Sequence, residues 1–231
     1  MRVAVLSSGG KDSAAAWWWA QCRGWEVTAL VTVNITGDDS WMFQIPGTHL
    51  VEHQANLANV PWLQVNTKGV QEEEISDLQS ALSSLKIDGI VSGALRSDYQ
   101  KVRLERMAER LGIHSWTPLW HQSSIEHMRG LVSNGFEVML TSVSCDGLDE
   151  SWLGQILTEK SLAKLEQKAE QFRFNVDSYR MIRGVICSRC GLATDKRIIA
   201  SYLHDNGLGG VVYKEERGPV YTHLYVPSYM R

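Results

Sequence analysis

Apolar positions fall into two alternating kinds of run along the first half of the chain. Short, β-branched stretches at residues 2–6 (RVAVL), 26–34 (EVTALVTVN), 62–66 and 89–94 (GIVSGA) predict buried parallel strands. Between them, helical spacing predicts helices at 11–22, closed by Gly24, and at 49–59, 72–85 and 98–111. Strand and helix in alternation, with short connections, predict an α/β fold with a doubly wound parallel sheet. Right-handed crossovers in such a sheet put ligands beyond the carboxyl ends of its strands. Three consecutive tryptophans, Trp17, Trp18 and Trp19, cannot share one helix face. Two are expected to pack into the sheet and a neighbouring helix, with the third partly exposed.

After Pro118 the rhythm changes. A helix is expected at 125–133, a strand at 136–143 (FEVMLTSV), and a Lys/Glu/Gln-rich helix at 159–172. Residues 211–214 and 221–226, joined through 215–219, predict a hairpin. The chain is therefore divided at about residue 120, into a domain at 1–120 and a smaller α/β domain at 121–231.

Composition narrows the setting. A chain of 231 residues, 44% hydrophobic and 21% charged, can bury the core of one or two compact domains. A net charge of −3 and a pI near 6.2 argue against a basic nucleic-acid-binding face, so nucleic acid is not an expected partner. Structure expected from residue 2 leaves no room for a signal peptide. No apolar run approaches the ~20 residues that cross a bilayer, so no membrane is expected. The four cysteines, Cys22, Cys145, Cys187 and Cys190, are too few for a disulfide scaffold. A cytoplasmic location follows as the expectation. A homo-oligomer stays open.

The chemistry concentrates between the first strand and the first helix, at Ser7, Ser8, Gly9, Gly10, Lys11, Asp12 and Ser13. Two glycines let the backbone turn sharply and approach a ligand closely. Helix-opening amides at the positive end of the dipole suit phosphate, and Lys11, Ser7 and Ser13 add a cation and hydroxyls. A Walker A loop would need glycine at Val5 and Ser or Thr at Asp12, and no GxGxxG dinucleotide fingerprint is present.

This SSGGKDS segment resembles the SGGKDS loop of the PP-loop, or N-type ATP pyrophosphatase, superfamily. The resemblance implies a Rossmann-like fold of the adenine nucleotide alpha hydrolase (HUP) type. It also implies ATP as cosubstrate with Mg²⁺, cleavage to AMP and pyrophosphate, and an adenylated intermediate. Further segments are similar to the diphthine–ammonia ligase family: residues 42–49 (MFQIPGTH), 93–101 (GALRSDYQK) and 147–154 (GLDESWLG). That likeness runs from about Arg2 to Val176. It implies an ATP-dependent carboxylate–ammonia ligase that adenylates the diphthine carboxylate of translation elongation factor 2 and amidates it with ammonium. Lys11, Asp12 and Ser13 would be catalytic. The Ser7–Ser13 loop with Gly93, Ser97 and Asp98 would bind ATP. Gln44, His49, Tyr99, Gln100, Asp149, Glu150 and Trp152 would face the substrate. No set of metal-ligating side chains is identified.

The same residues have plainer readings. Asp98 serves equally as a helix N-cap, with Ser97 the alternative. Residues 42–49 suit either a loop closing over the nucleotide or a surface connection, and His49 a helix start or core position. Asp149 and Glu150 form either a solvated acidic turn or a seat for a trimethylammonium group, with Trp152 or Trp120 offering an aromatic face.

From Asp177 the chain departs from the family's pattern, where a GEGGEYET motif is expected and residues 177–184 read DSYRMIRG. Cys187 and Cys190 there form a CxxC, with His204 and His223 beyond at spacings that fit no common zinc finger. Zinc, a redox or sulfur-handling pair, and no role at all remain open. Two other functions also remain: a tRNA-modifying PP-loop enzyme that transfers sulfur or nitrogen, and a non-catalytic adenine-nucleotide-binding module.

Overall fold

The structure is a computed structural model. It describes residues 1–36, 40, 42–43, 48, 50–138, 140, 142–143, 145–152 and 155–176, with short strands at Ile182–Arg183, Val211–Lys214 and Gly218–Tyr221. Strand β1 (Arg2–Leu6) buries Val3, Ala4 and Val5 completely, as a strand covered on both faces must. It lies at the centre of a five-stranded sheet in the order β3-β2-β1-β4-β5. The other strands are β2 (Glu26–Ile35), β3 (Trp62–Thr67), β4 (Gly89–Ser92) and β5 (His114–Trp116), and every pairing is parallel. Leu6, the last residue of β1, stands opposite Val31 on one side and Ser92 on the other.

Four helices follow the first four strands: α1 (Lys11–Cys22), α2 (Leu50–Leu57), α3 (Glu73–Leu82) and α4 (Asp98–Leu111). Ala4, Val31, Val33 and Ile90 join Ile75, Leu78 and Leu82 of α3 and Leu104 and Met107 of α4 in one buried cluster. Helix α1 has no amphipathic stripe. Its small residues Ala14, Ala15, Ala16 and Ala20 are buried, as is Trp17.

The doubly wound parallel sheet is as expected, and the differences are local. The fifth strand, β5, is three residues long and gives too little periodicity to read. Helix α2 stops at Leu57 because Asn59 turns left-handed at φ 52°. Helix α3 starts at Glu73, after Glu72 at φ 67°. Of the three tryptophans only Trp17 is fully buried, rather than two. Trp18 and Trp19 are half-buried, and Trp19 meets Trp25 edge-on at 5.2 Å beneath the Arg23 guanidinium at 4.2 Å.

By compactness the chain divides into one unit at Met1–His121 and a second that begins at Gln122. The described part of the second unit contains α5 (Ser124–Ser133), β6 (Ser142–Val143), a 3₁₀ turn at Glu150–Trp152, α6 (Glu159–Phe172) and β7 (Ile182–Arg183), then β8 (Val211–Lys214) and β9 (Gly218–Tyr221). The strand expected at 136–143 shrinks to β6, which pairs antiparallel with β7. Phe136, Val138 and Leu140 are buried in alternation, but their neighbours are residues 155–157: Leu157 N donates to Val138 O at 2.8 Å and Leu140 N to Gln155 O at 3.1 Å. In the terminal hairpin the strand facing β8 is Gly218–Tyr221, with Pro219 opposite Tyr213, so its described part begins three residues before the expected 221. Residues 222–226 lie outside the described residues. Among the described residues no helix is long and apolar enough to cross a membrane.

Candidate active site

At the end of β1 the ladder runs one residue further, with Ser7 N donating to Val31 O at 2.8 Å. The chain then turns through Gly9, whose φ of +77° suits glycine alone at little cost. Gly10 takes the N-cap position of α1 in extended conformation, without a side-chain hydrogen bond to the helix's first amides. The loop is fastened by its own hydroxyls: Gly9 N donates to Ser7 Oγ at 3.3 Å and Ser13 Oγ to Gly10 O at 2.9 Å. The helix-opening amides are thus left without the usual side-chain cap in a turn held open from beneath, an arrangement suited to phosphate.

A cation beside a glycine-rich loop would ordinarily lie exposed, yet the Lys11 side chain is 5% exposed. The reason is an ion pair, Nζ to Asp12 Oδ2 at 3.0 Å, which allows an ammonium to be buried at all. Asp12 keeps a quarter of its side chain exposed.

Strand β4 supplies the second wall. A Cβ on Gly93 would lie 2.6 Å from the carbonyl carbon and oxygen of Asp12 and 2.7 Å from Ser13 N, so only glycine lets the β4–α4 turn press against the start of α1. Immediately before it, Ser92 is 5% exposed and its hydroxyl has no hydrogen-bond partner among the described residues. The two loops emerge from adjacent strands at the point where strand order reverses, with β2 and β3 on one side of β1 and β4 and β5 on the other. Open α/β sheets bind ligands in the crevice at such a point.

Three further contacts, not anticipated from sequence, organise this edge. Buried Gln54 of α2 donates from Nε2 to Gly9 O at 3.4 Å. Glu74, 1% exposed at the start of α3, accepts from Ser40 Oγ, which in turn accepts from Met42 N at 3.1 Å and Phe43 N at 2.9 Å. Gln100 Nε2 donates to Met42 O. Residues 40, 42 and 43 are therefore tied to α3 and α4. The legible signal was Glu74 itself, a carboxylate on the apolar face that carries Leu78 and Leu82.

Among the other expected site residues, Ser97 is the N-cap of α4, accepting from Gln100 N at 3.3 Å, and exposed Asp98 is the first helical residue. The Tyr99 ring carries the Arg103 guanidinium 3.5 Å from its centroid. Gln44 and His49 lie outside the described residues.

In the second unit, Asp149 Oδ1 accepts from Ser151 N at 2.9 Å and from Ser151 Oγ. Those bonds hold its carboxyl below the usual range. Asp149 thus caps the Glu150–Trp152 turn, and it is exposed. Trp152 is 7% exposed, so its ring is buried rather than offered as a face. The side chain of Glu150 lies outside the described residues, as do Cys187, Cys190, His204 and His223. Among the described residues no three His, Cys, Asp or Glu side chains gather as a metal site.

Comparison with known proteins shows the family. Residues 1–115 match the family described as diphthamide synthase N-terminal domain, and 123–178 the diphthamide synthase C-terminal domain. The chain belongs to the diphthamide synthase family. A human protein named diphthine–ammonia ligase is 30% identical over 193 residues, covering 73% of this chain and 72% of its own. The rat protein of that name is 30% identical over 72% of this chain and 71% of its own, and the zebrafish protein 28% over 76% and 77%. The diphthamide synthase family resemblance read from the loop and the later segments is thereby borne out, and with it the assignment as an ATP-dependent ligase. A solved structure described as a predicted subunit of tRNA methyltransferase, from Methanocaldococcus jannaschii, aligns with TM-score 0.45 and 17% identity over 80% of this chain and 95% of that one.

Proposed function

We propose that the chain activates the diphthine carboxylate of translation elongation factor 2 with ATP and amidates it with ammonium, giving diphthamide, AMP and pyrophosphate. The observation that carries this reading is the crevice between β1 and β4. There Gly93 is pressed onto the Asp12–Ser13 backbone and the start of α1 has no side-chain cap. Membership of the diphthamide synthase family supplies the reaction class.

In the first step a carboxylate oxygen attacks the α-phosphorus, and the bond to the β-phosphate oxygen breaks. The Gly9–Ser13 amides and Lys11 hold the departing pyrophosphate and stabilise its growing charge from fixed positions. The Ser92 hydroxyl, without a hydrogen-bond partner among the described residues, offers a further donor, while those of Ser7 and Ser13 hold the loop. In the second step the nitrogen of ammonia attacks the acyl carbon, AMP leaves, and a proton passes to solvent. Ammonia is the nucleophile, so the scheme asks for no nucleophilic side chain; it asks for a cleft that keeps water from the acyl-adenylate. Mg²⁺ would supply neutralising charge for the phosphates, and Asp12, a quarter exposed on the loop, is the carboxylate that would hold it.

The test offers labelled ATP and ammonium with either undermodified elongation factor 2 or bulk tRNA. The reading expects a carboxyl-to-carboxamide mass change on the elongation factor, dependent on both ATP and ammonium. Modification of tRNA with an unchanged factor would replace it with the tRNA-modifying alternative.

A further inference from the structure

Beyond the nucleotide crevice, a second feature stands on the same carboxyl edge of the sheet. Past β5 the chain enters a tight turn, with Trp120 N donating to Thr117 O at 3.0 Å, and closes at His121. His121 is exposed and held left-handed at φ 57°, a conformation unfavourable for a non-glycine residue. Its N–H donates to Leu95 O at 2.9 Å, tying this turn to the loop that follows β4. The strain buys one visible arrangement: the imidazole stacks on Trp120, centroids 4.7 Å apart and planes within 24°. Half-buried Trp120 already attracts a cation. Lys101, in the first turn of α4, places Nζ 5.4 Å from its ring centroid while also pairing with Glu105.

We propose that Trp120, backed by His121, is the platform for the quaternary ammonium group of the substrate, with Lys101 holding the ring until substrate displaces it. The inference rests on the diphthine reading above, which puts a trimethylammonium and the reacting carboxylate in one side chain. An indole face is the best aromatic partner for such a cation, because it binds through the ring quadrupole and needs no hydrogen bond. The carboxylates at 149 and 150 are not needed for this role, and Trp152 is too buried to play it. The location fits: β5 is two strand spacings from β1, ~10 Å, so this turn and the phosphate crevice lie along one carboxyl edge of the sheet. Lys101 is not lost when displaced, since Glu105 one turn along keeps its charge paired.

The test is a titration with tetramethylammonium, following the Trp120 indole N–H by NMR, the resonance being assigned by its loss in Trp120→Phe. A saturable shift is expected, absent with equal ammonium. Trp120→Phe should retain methyl-proton shifts of the ligand while Trp120→Leu abolishes them, and Lys101→Met should tighten binding ~3-fold by removing the competitor. No shift, or the same shift with ammonium, overturns the platform. With diphthine-bearing elongation factor, Trp120→Leu should raise KM for the protein ~3-fold or more and leave KM for ATP alone. Amidation indifferent to Trp120→Leu overturns the platform and spares the ligase reading. Tetramethylammonium binding by a wild-type protein that never amidates the factor supports the platform and overturns that reading instead.

Discussion

The first unit builds its candidate chemistry out of backbone, whereas the second offers side chains on a short turn. In the first, the elements that matter are the amides after Gly9, the Gly93 contact and a crevice fixed by strand order; the side chains there, Ser7 and Ser13, mostly hold the loop in place. In the second, Asp149 bonds its own neighbour Ser151 and Trp152 is buried. A backbone cradle has few alternative uses, which is why the proposed chemistry is placed there. A carboxylate on a turn can serve the turn, and here it does.

That contrast can be broken most severely at Gly93. Gly93→Ala drives a methyl into the backbone of Asp12 and Ser13, so either the β4 loop or the start of α1 must move. Displacing a phosphate cradle by about 1 Å is expected to cost AMP formation ~100-fold or more, alongside ~1–3 kcal/mol of stability from overpacking. The check is AMP release beside a thermal melt. Near-normal turnover in Gly93→Ala would mean that the crevice is not where ATP reacts.

Lys11→Ala is the next largest. It removes a charge-assisted phosphate contact, so ATP-dependent AMP release should fall at least ~10-fold. Because Lys11 is buried against Asp12, the melting temperature should also drop, which an exposed lysine would not cause. Lys11→Arg restores charge but not shape and should recover the melt more than the rate.

Much of this was legible because the first unit's strands are buried on both faces and announce themselves as uninterrupted apolar runs; β1, α1 and α4 have the expected bounds. What escaped has physical causes. Strand β5 is too short to show a period, and buried Val138 and Leu140 bond residues 157 and 155 rather than extending β6. Gln54, Ser92 and the Ser40–Glu74 link act through tertiary contacts between residues far apart in the chain, which no local pattern records. The burial of Lys11 depended on Asp12 turning back to pair with it.

The smallest effect belongs to the second unit. The Asp149 carboxyl is held below its ordinary value of 3.8 by the Ser151 bonds, so the ionised form is favoured in the fold. Its contribution is complete above that ordinary value and fades as pH falls through the lower, folded one. Asp149→Asn should therefore lose less thermal stability than wild type on acidification below about pH 4, while binding ATP normally at neutral pH. A change in ATP affinity would instead bring Asp149 into the nucleotide site and undo the division between units.

The most direct measurement is the fate of the phosphates. Phosphorus NMR of a turnover mixture should show ATP converted to AMP and pyrophosphate, with neither formed by Gly93→Ala at a comparable rate. ADP and inorganic phosphate as the main products would contradict the account, because a cradle that grips the β and γ phosphates as a leaving group cannot release them singly.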